Sequence, residues 1–244
     1  MISKVQIKYI RSLHQKKYRE AEGKFIAEGE KVVRELLQSN ISIKQVYATQ
    51  DWSIPAGISA EMISEEELNQ ISLLQSPNKV LAIAETPQFI LEKSSLPYEL
   101  YLDDIKDLGN LGTMIRTAEW FGLKRIFCSI ESAEFFNPKT VQASMGSVFR
   151  VKLHRLLFDQ CMEFIEPKAI YAASLAGQPL SNAAILPNSL LVIGSESHGI
   201  QAHILNQASH LIKIPNYGAA ESLNAGIACG ILLNEFSKSL MPQS

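Results

Sequence analysis

Three short polar stretches carry the side chains best suited to chemistry. Asp103-Asp104-Ile105-Lys106-Asp107-Leu108-Gly109-Asn110-Leu111-Gly112 runs into a segment bearing Arg116. Gly194-Ser195-Glu196-Ser197-His198-Gly199 follows an apolar run, and Ile214-Pro215-Asn216-Tyr217-Gly218 leads to Ser222-Leu223-Asn224. A guanidinium such as that of Arg116 presents a planar fork of donors that suits phosphate. Its plain alternative is a surface arginine paired with a neighbour such as Glu119. Glu196 comes directly after a buried-type run, where a carboxylate needs a partner, and Arg116 is a candidate if the stretches converge. Glycines in such places are turn formers as readily as ligand cradles, so no single stretch defines a site. Cys128, Cys161 and Cys229 are scattered, and no Cys/His pair has structural-zinc spacing. They read as reduced thiols, and no metal is expected.

The elements that must hold these residues follow a β–α texture. ELYLDD, KRIFCS, VKLHRL, AIYAAS, LLVIGS and HLIKIP read as strands, and MIRTAEWFG as a helix stopped by Gly122. That boundary leaves Asn110 in the turn before the helix. Asn137-Pro138 gives an N-cap with proline at N1 for the helix KTVQASMG. SLNAGIACGILLNEFSKSL reads as a long last helix, with Ser222 as a good N-cap. Its small residues Ala225, Gly226, Ala228, Cys229 and Gly230 suggest close packing on another helix. The pattern implies a mostly parallel sheet with helices on both faces, in which ligands bind beyond the carboxyl ends of strands. Ahead of it, residues 1–85 alternate strands (FIAEG, IKQVYAT, VLAIAE) with helices in a compact α/β unit. Ser64 and Glu67 make a capping-box pattern there. Residues 86–97, with two prolines, read as a linker between a domain at 1–85 and one at 98–244.

The 244 residues suit one large or two modest domains, and 46% hydrophobic with 20% charged residues suits a globular chain. No apolar run approaches the ~20 residues of a membrane helix. The start has no signal-type apolar core, so a cytoplasmic location is expected. The net charge of −2 argues against nonspecific coating of nucleic acid. Cations nonetheless gather in the first 24 residues, where Lys16, Lys17 and Arg19 are candidate RNA contacts. Charge alone does not separate that reading from a solvated amphipathic helix.

In order, the three stretches resemble the motifs of the SpoU/TrmH family of RNA 2′-O-methyltransferases, the SPOUT or α/β-knot class. DLGNLGTMIRTAEWFG matches motif one, LLVIGSESHG motif two and IKIPNYGAAESLNAGIACGILLNE motif three. NPKTVQASMGSVFRV, 137–151, resembles the segment between motifs one and two. The likeness covers about 98–240. The segment 1–85, with FIAEGEKVVRELL, more loosely resembles the L30e-like substrate-binding domain often fused ahead. The sequence departs from the commoner pattern at Leu108, where proline is usual, and at Ser197 and His198. His198 could touch RNA, although a lone surface histidine is more often inert.

The resemblance implies an α/β fold: a C-terminal trefoil-knotted, mostly parallel sheet after a small L30e-like α/β domain. It implies S-adenosylmethionine as cofactor, held by Gly194, Ser195, Ile214, Pro215 and Leu223 largely through main chain. It implies Arg116, Asn110, Glu196, Ser222 and Asn224 as the catalytic group. A guanidinium keeps its proton too firmly to serve readily as a base, so Arg116 is expected to position the ribose 2′-hydroxyl by holding RNA phosphate. Asn224, read as two residues inside the last helix, is not explained by capping. The implied partners are RNA, ribosomal before transfer RNA, and a second copy of the chain in a homodimer. Two other function classes are weighed. An RNA-binding or ribosome-assembly factor without activity is opposed by the intact polar set. A nicotinamide oxidoreductase is opposed by the lack of G-x-G-x-x-G between a strand and a helix.

Overall fold

The computed structural model describes residues 1–93 and 96–240. Residues 94–95 of the expected linker and 241–244 of the expected C-terminal domain lie outside the described residues. The chain divides into two compact units. Met1–Gln88 and Glu134–Arg150 form the first, and Phe89–Ala133 and Val151–Ser244 the second.

The N-terminal elements are α1 (Lys4–Ser12), α2 (Lys16–Glu22), β1 (Lys24–Glu28), α3 (Glu30–Leu37), β2 (Ile43–Ala48), β3 (Glu61–Met62), α4 (Glu65–Ile71) and β4 (Val80–Glu85). The expected capping box is present at α4, where the Ser64 hydroxyl accepts from Glu67 N and the Glu67 carboxylate from Ser64 N. The strands form a sheet in the order β1-β4-β2-β3, with β4 antiparallel to both neighbours and β3 parallel to β2. Ile10, Leu13, Ile26, Leu68, Ile71 and Leu81 fill the core between α1, α4 and the sheet. Each such side chain contributes about 1.5–3 kcal/mol on burial. Gly23 closes α2 with a φ of 60°, a left-handed turn that glycine takes without strain. α2 was not anticipated as a separate helix from the sequence.

From residue 98 the elements are β5 (Tyr98–Leu102), α5 (Leu108–Trp120), β6 (Arg125–Cys128), α6 (Pro138–Ser144), β7 (Lys152–Arg155), α7 (Phe158–Ile165), β8 (Ala169–Pro179), β9 (Ser189–Ile193), α8 (Ala202–Leu205), β10 (His210–Lys213) and α9 (Ala225–Leu240). The strands make a six-stranded, wholly parallel sheet in the order β10-β8-β9-β5-β6-β7. Every residue of β5 and β9 is buried, as expected for central strands covered on both faces. The chain leaves β5 for β6 and β7 on one side and later returns to β8, β9 and β10 on the other. The carboxyl ends of β5 and β9 therefore flank the topological switch point, where such sheets bind ligands. α7 was not anticipated from the sequence.

Glu134–Arg150, read in the sequence as part of a domain at 98–244, clusters with the first unit. Phe136 and Phe149 pack on Phe25, with ring centroids 4.8 and 5.9 Å away. Gln142 Nε2 on α6 donates to Glu28 O at 2.8 Å. Glu134 receives Nε and Nη2 of Arg19 at 2.9 and 2.7 Å. α6 itself forms as read, with Asn137 accepting from Lys139 N and Pro138 at its first position.

Candidate active site

Two helix starts differ from the sequence reading, and both differences place site residues. The Asp107 carboxylate accepts from Asn110 N at 2.7 Å and so caps α5 at Leu108. Asn110 thus lies in the first turn of the helix and not in the preceding loop. α9 begins at Ala225, because Asn224 Oδ1 accepts from Gly226 N at 3.0 Å and Ile227 N at 3.3 Å. Asn224 is the cap that the sequence reading assigned to Ser222, and Ser222 stays exposed outside the helix.

These starts meet at the end of β9. Glu196 Oε1 accepts from Asn110 Nδ2 at 3.1 Å and from Ala225 N at 2.6 Å. Asn224 Nδ2 donates to Asn110 Oδ1 at 2.9 Å. One residue from each of the three stretches therefore joins a single hydrogen-bonded network. The carboxylate at the N-terminus of α9 also opposes that helix's positive dipole end. Glu196 finds its partners in an amide and a backbone N–H, not in Arg116 as the sequence had suggested. Arg116 is exposed on α5, with no hydrogen bond or ion pair among the described residues. Trp120, four residues on along the same helix face, is 85% exposed.

The close helix packing read from small residues in α9 is made with α5. A Cβ on Gly226 would stand 3.2 Å from Thr113 Cγ2, and one on Gly230 would stand 3.7 Å from Thr117 Cγ2. The two helices touch along matching four-residue steps, which fixes Asn110 against Asn224.

Beside the network lies a cavity of about 480 Å³, within the range of small-molecule sites. Gly194, Ser195, Ile214, Pro215 and Leu223 all line it, as do Glu196 and Ser222. Its apolar wall includes Ile193, Ile200, Ile212 and Leu232, which are buried. Glycine is required at 194, because a Cβ there would stand 2.5 Å from Ile200 N and closer still to the Gly199 carbonyl group. That approach lets Ser195 and Gly199 bridge, with Gly199 N donating to Ser195 O at 2.9 Å and Ser195 N to Gly199 O at 3.2 Å. His198 Nδ1 lies 3.0 Å from the Ser197 hydroxyl.

Three contributors were not singled out in the sequence. Asp103, fully buried after β5, accepts from Gln201 N and Gln201 Nε2, both at 2.8 Å, and so ties the end of β5 to the segment following Gly199. Its only sequence signal was an acidic pair closing an apolar strand. Lys213 and Tyr217 also line the cavity. Of the candidate RNA contacts, Lys16 and Lys17 are exposed. Arg19 is only 3% exposed, and besides Glu134 it serves Leu13 O at 2.8 Å. Buried and bound within its own unit, Arg19 is not available to RNA, which corrects its reading as an RNA contact.

A parallel α/β unit with an apolar cavity beyond the carboxyl ends of β8, β9 and β10 follows a small mixed α/β unit, and such a cavity is where sheets of this kind bind ligands. Comparison with known proteins narrows the class. The model of the SpoU rRNA Methylase family matches residues 97–234, and the chain belongs to that family. The MRM3-like substrate binding domain matches residues 4–82. The chain is 30% identical over 236 residues to the 23S rRNA (guanosine(2553)-2′-O)-methyltransferase RlmP of Bacillus subtilis, covering 93% of this chain and 94% of that one. It is 23% identical over 221 residues to the 23S rRNA (guanosine-2′-O-)-methyltransferase RlmB of Coxiella burnetii, covering 86% and 88%. The structure of an AdoMet-bound rRNA methyltransferase from Sinorhizobium meliloti superposes with a TM-score of 0.86 at 30% identity, covering 99% and 98%. Among the described residues no helix is long and apolar enough to cross a membrane.

Proposed function

We propose that this chain transfers a methyl group from S-adenosylmethionine to a ribose 2′-hydroxyl of RNA, with ribosomal RNA before transfer RNA as the acceptor. The observation that carries the reading is the Asn110–Glu196–Asn224 network standing beside the cavity in a chain of this family. RlmP and RlmB are named for 2′-O-methylation of 23S rRNA, which supports both reaction and acceptor.

The cavity's chemistry fits the cofactor, since apolar walls and backbone polar groups suit an adenosine moiety. Gly194, Ser195, Ile214, Pro215 and Leu223 would hold it. When bound, it supplies an electrophilic methyl group. The chain's own residues then have separate tasks. Arg116, exposed and unspent, grips an RNA phosphate with its guanidinium and orients the 2′-oxygen for in-line approach. Glu196 and Asn110 fix the start of α9, and Ser222 and Asn224 border the ribose. The hydroxyl proton passes to phosphate or water as the oxygen reacts.

Lys16 and Lys17 contact RNA from the first unit. The chain acts as a cytoplasmic homodimer with its C-terminal segment knotted. The exposed Trp120, Ile227 and Ile231 offer apolar surface for a second copy. The test is transfer of labelled methyl to unmodified bulk RNA. Cofactor binding without transfer to any RNA would leave an RNA-binding factor as the better reading.

A further inference from the structure

Tyr217 is 96% exposed, yet it lines the cavity proposed for the methyl donor. Exposure on this scale is unusual for an aromatic side chain, which contributes far more when its ring faces are covered. The loop beneath it is pinned: Asn216 Oδ1 accepts from Gly218 N at 2.8 Å, and Asn216 Nδ2 donates to Ala220 O at 2.7 Å. Those bonds hold the turn while leaving the ring outside it. Among the described residues the Tyr217 hydroxyl has no hydrogen bond. In the second unit the other aromatic side chain exposed to this degree is Trp120, which stands on α5 and does not line the cavity. The residues after Tyr217, Gly218 to Ala220, are small and exposed, so nothing bulky crowds the ring.

We propose that Tyr217 is a stacking platform for an unpaired nucleobase, and that the acceptor nucleotide is therefore presented out of its helix, from a loop or a single strand. This rests on the methyl-transfer reading and deepens it. A ribose whose 2′-oxygen reaches the cavity mouth carries its base one bond away, at the rim. A base removed from its own stack needs another π face, and aromatic side chains commonly supply one in RNA recognition. Stacking is tolerant of base identity, so the platform selects an unstacked nucleotide, and the choice of base falls to other contacts.

The test uses the full chain with an unmodified 23S ribosomal RNA transcript, comparing wild type with Tyr217→Phe and Tyr217→Ala. Stacking of one base corresponds to about a tenfold to hundredfold effect on binding. Tyr217→Ala should raise KM for RNA by that factor, with cofactor affinity by calorimetry and sedimentation mass unchanged. Tyr217→Phe, which keeps the ring, should restore the wild-type KM. Once the acceptor is mapped, an oligonucleotide carrying it in a loop should be methylated, and the same strand annealed to its complement should not. A loss of cofactor affinity in Tyr217→Ala would make the ring a cover for the cofactor. A change in mass would make it a contact between copies. An unchanged KM, or equal methylation of the duplex, would also overturn the platform. If wild type methylates no RNA at all, the methyl-transfer reading fails, and this proposal fails with it.

Discussion

Gly194→Ala is the smallest change that should dismantle the cavity proposed for the cofactor. The added Cβ would stand 2.5 Å from Ile200 N and inside contact with the carbonyl group of Gly199, whereas ordinary contact begins at 3.4 Å. The opposing backbone must retreat by roughly 0.9 Å or more, the difference between those two distances. The bridge bonds between Ser195 and Gly199, at 2.9 and 3.2 Å, cannot survive a shift of that size. Two backbone hydrogen bonds at about 0.5–1.5 kcal/mol each give a loss of about 1–3 kcal/mol. The overpacking it relieves is of similar size. Since 1.4 kcal/mol is tenfold, cofactor Kd should rise by about tenfold to a hundredfold. Calorimetric titration with S-adenosylmethionine measures it directly. Gly199→Ala is the control, because its Cβ meets nothing within 4 Å and only its φ of 69° is strained, at roughly 1–2 kcal/mol. Wild-type cofactor affinity in Gly194→Ala would refute the assignment of this turn to the cofactor.

Arg19→Ala should lower unfolding free energy by about 3–5 kcal/mol, because it strands Glu134 in a largely buried pair, while leaving the salt dependence of RNA binding unchanged. Neutralising Lys16 and Lys17 should do the reverse, flattening that salt dependence with little effect on urea unfolding, since the exposed Lys16–Glu20 pair contributes little. Stability should fall on acidification. Burial, then Arg125, holds His154 below its ordinary 6.5, and burial lowers His14 likewise. The unfolded chain takes up these protons first, so the stabilisation is complete above pH 6.5 and is lost as pH falls towards the folded values. Urea unfolding between pH 7.5 and 5.5 checks the sign, and a flatter dependence in His154→Phe checks the residue. Burial pushes the thiols of Cys128 and Cys229 up to about 12 and raises Cys161 further, so a thiol-specific dye should label none of them at pH 8 until denaturant is added.

Much of the architecture was legible because local signals agreed with the global one. The apolar runs at 98–102 and 189–193 have the unbroken hydrophobicity of doubly covered parallel strands, and Ser64 with Glu67 states a helix start outright. Helix starts at the site were less legible. DLGNLG has two glycines, which read as a turn, yet the Asp107 cap outweighs their entropic cost and winds them into α5. At α9 the cap moved from Ser222 to Asn224, whose side chain accepts from Gly226 N and Ile227 N. Motif order grouped Asn110, Glu196 and Asn224, which the structure brings together, but did not give their bonds. Arg116 was a sensible partner for Glu196 by charge, and only the packing of α5 on α9 delivers Asn110 there instead. Arg19 could not be told from its basic neighbours, because its partner Glu134 lies 115 positions away. Tyr217 lay within the third stretch but was not singled out there, since exposure is not written in a loop's sequence.

The most direct measurement follows methyl transfer to ribosomal RNA. Radiolabelled S-adenosylmethionine is incubated with unmodified ribosomal RNA and either wild type or Arg116→Ala, the acceptor position is mapped as a 2′-O-methyl ribose, and cofactor affinity is measured in parallel. The expected result is a single modified ribose with wild type, and a severe loss of turnover in Arg116→Ala with cofactor affinity nearly intact. Methylation of a base instead of a ribose, or full turnover without Arg116, would contradict the central claim.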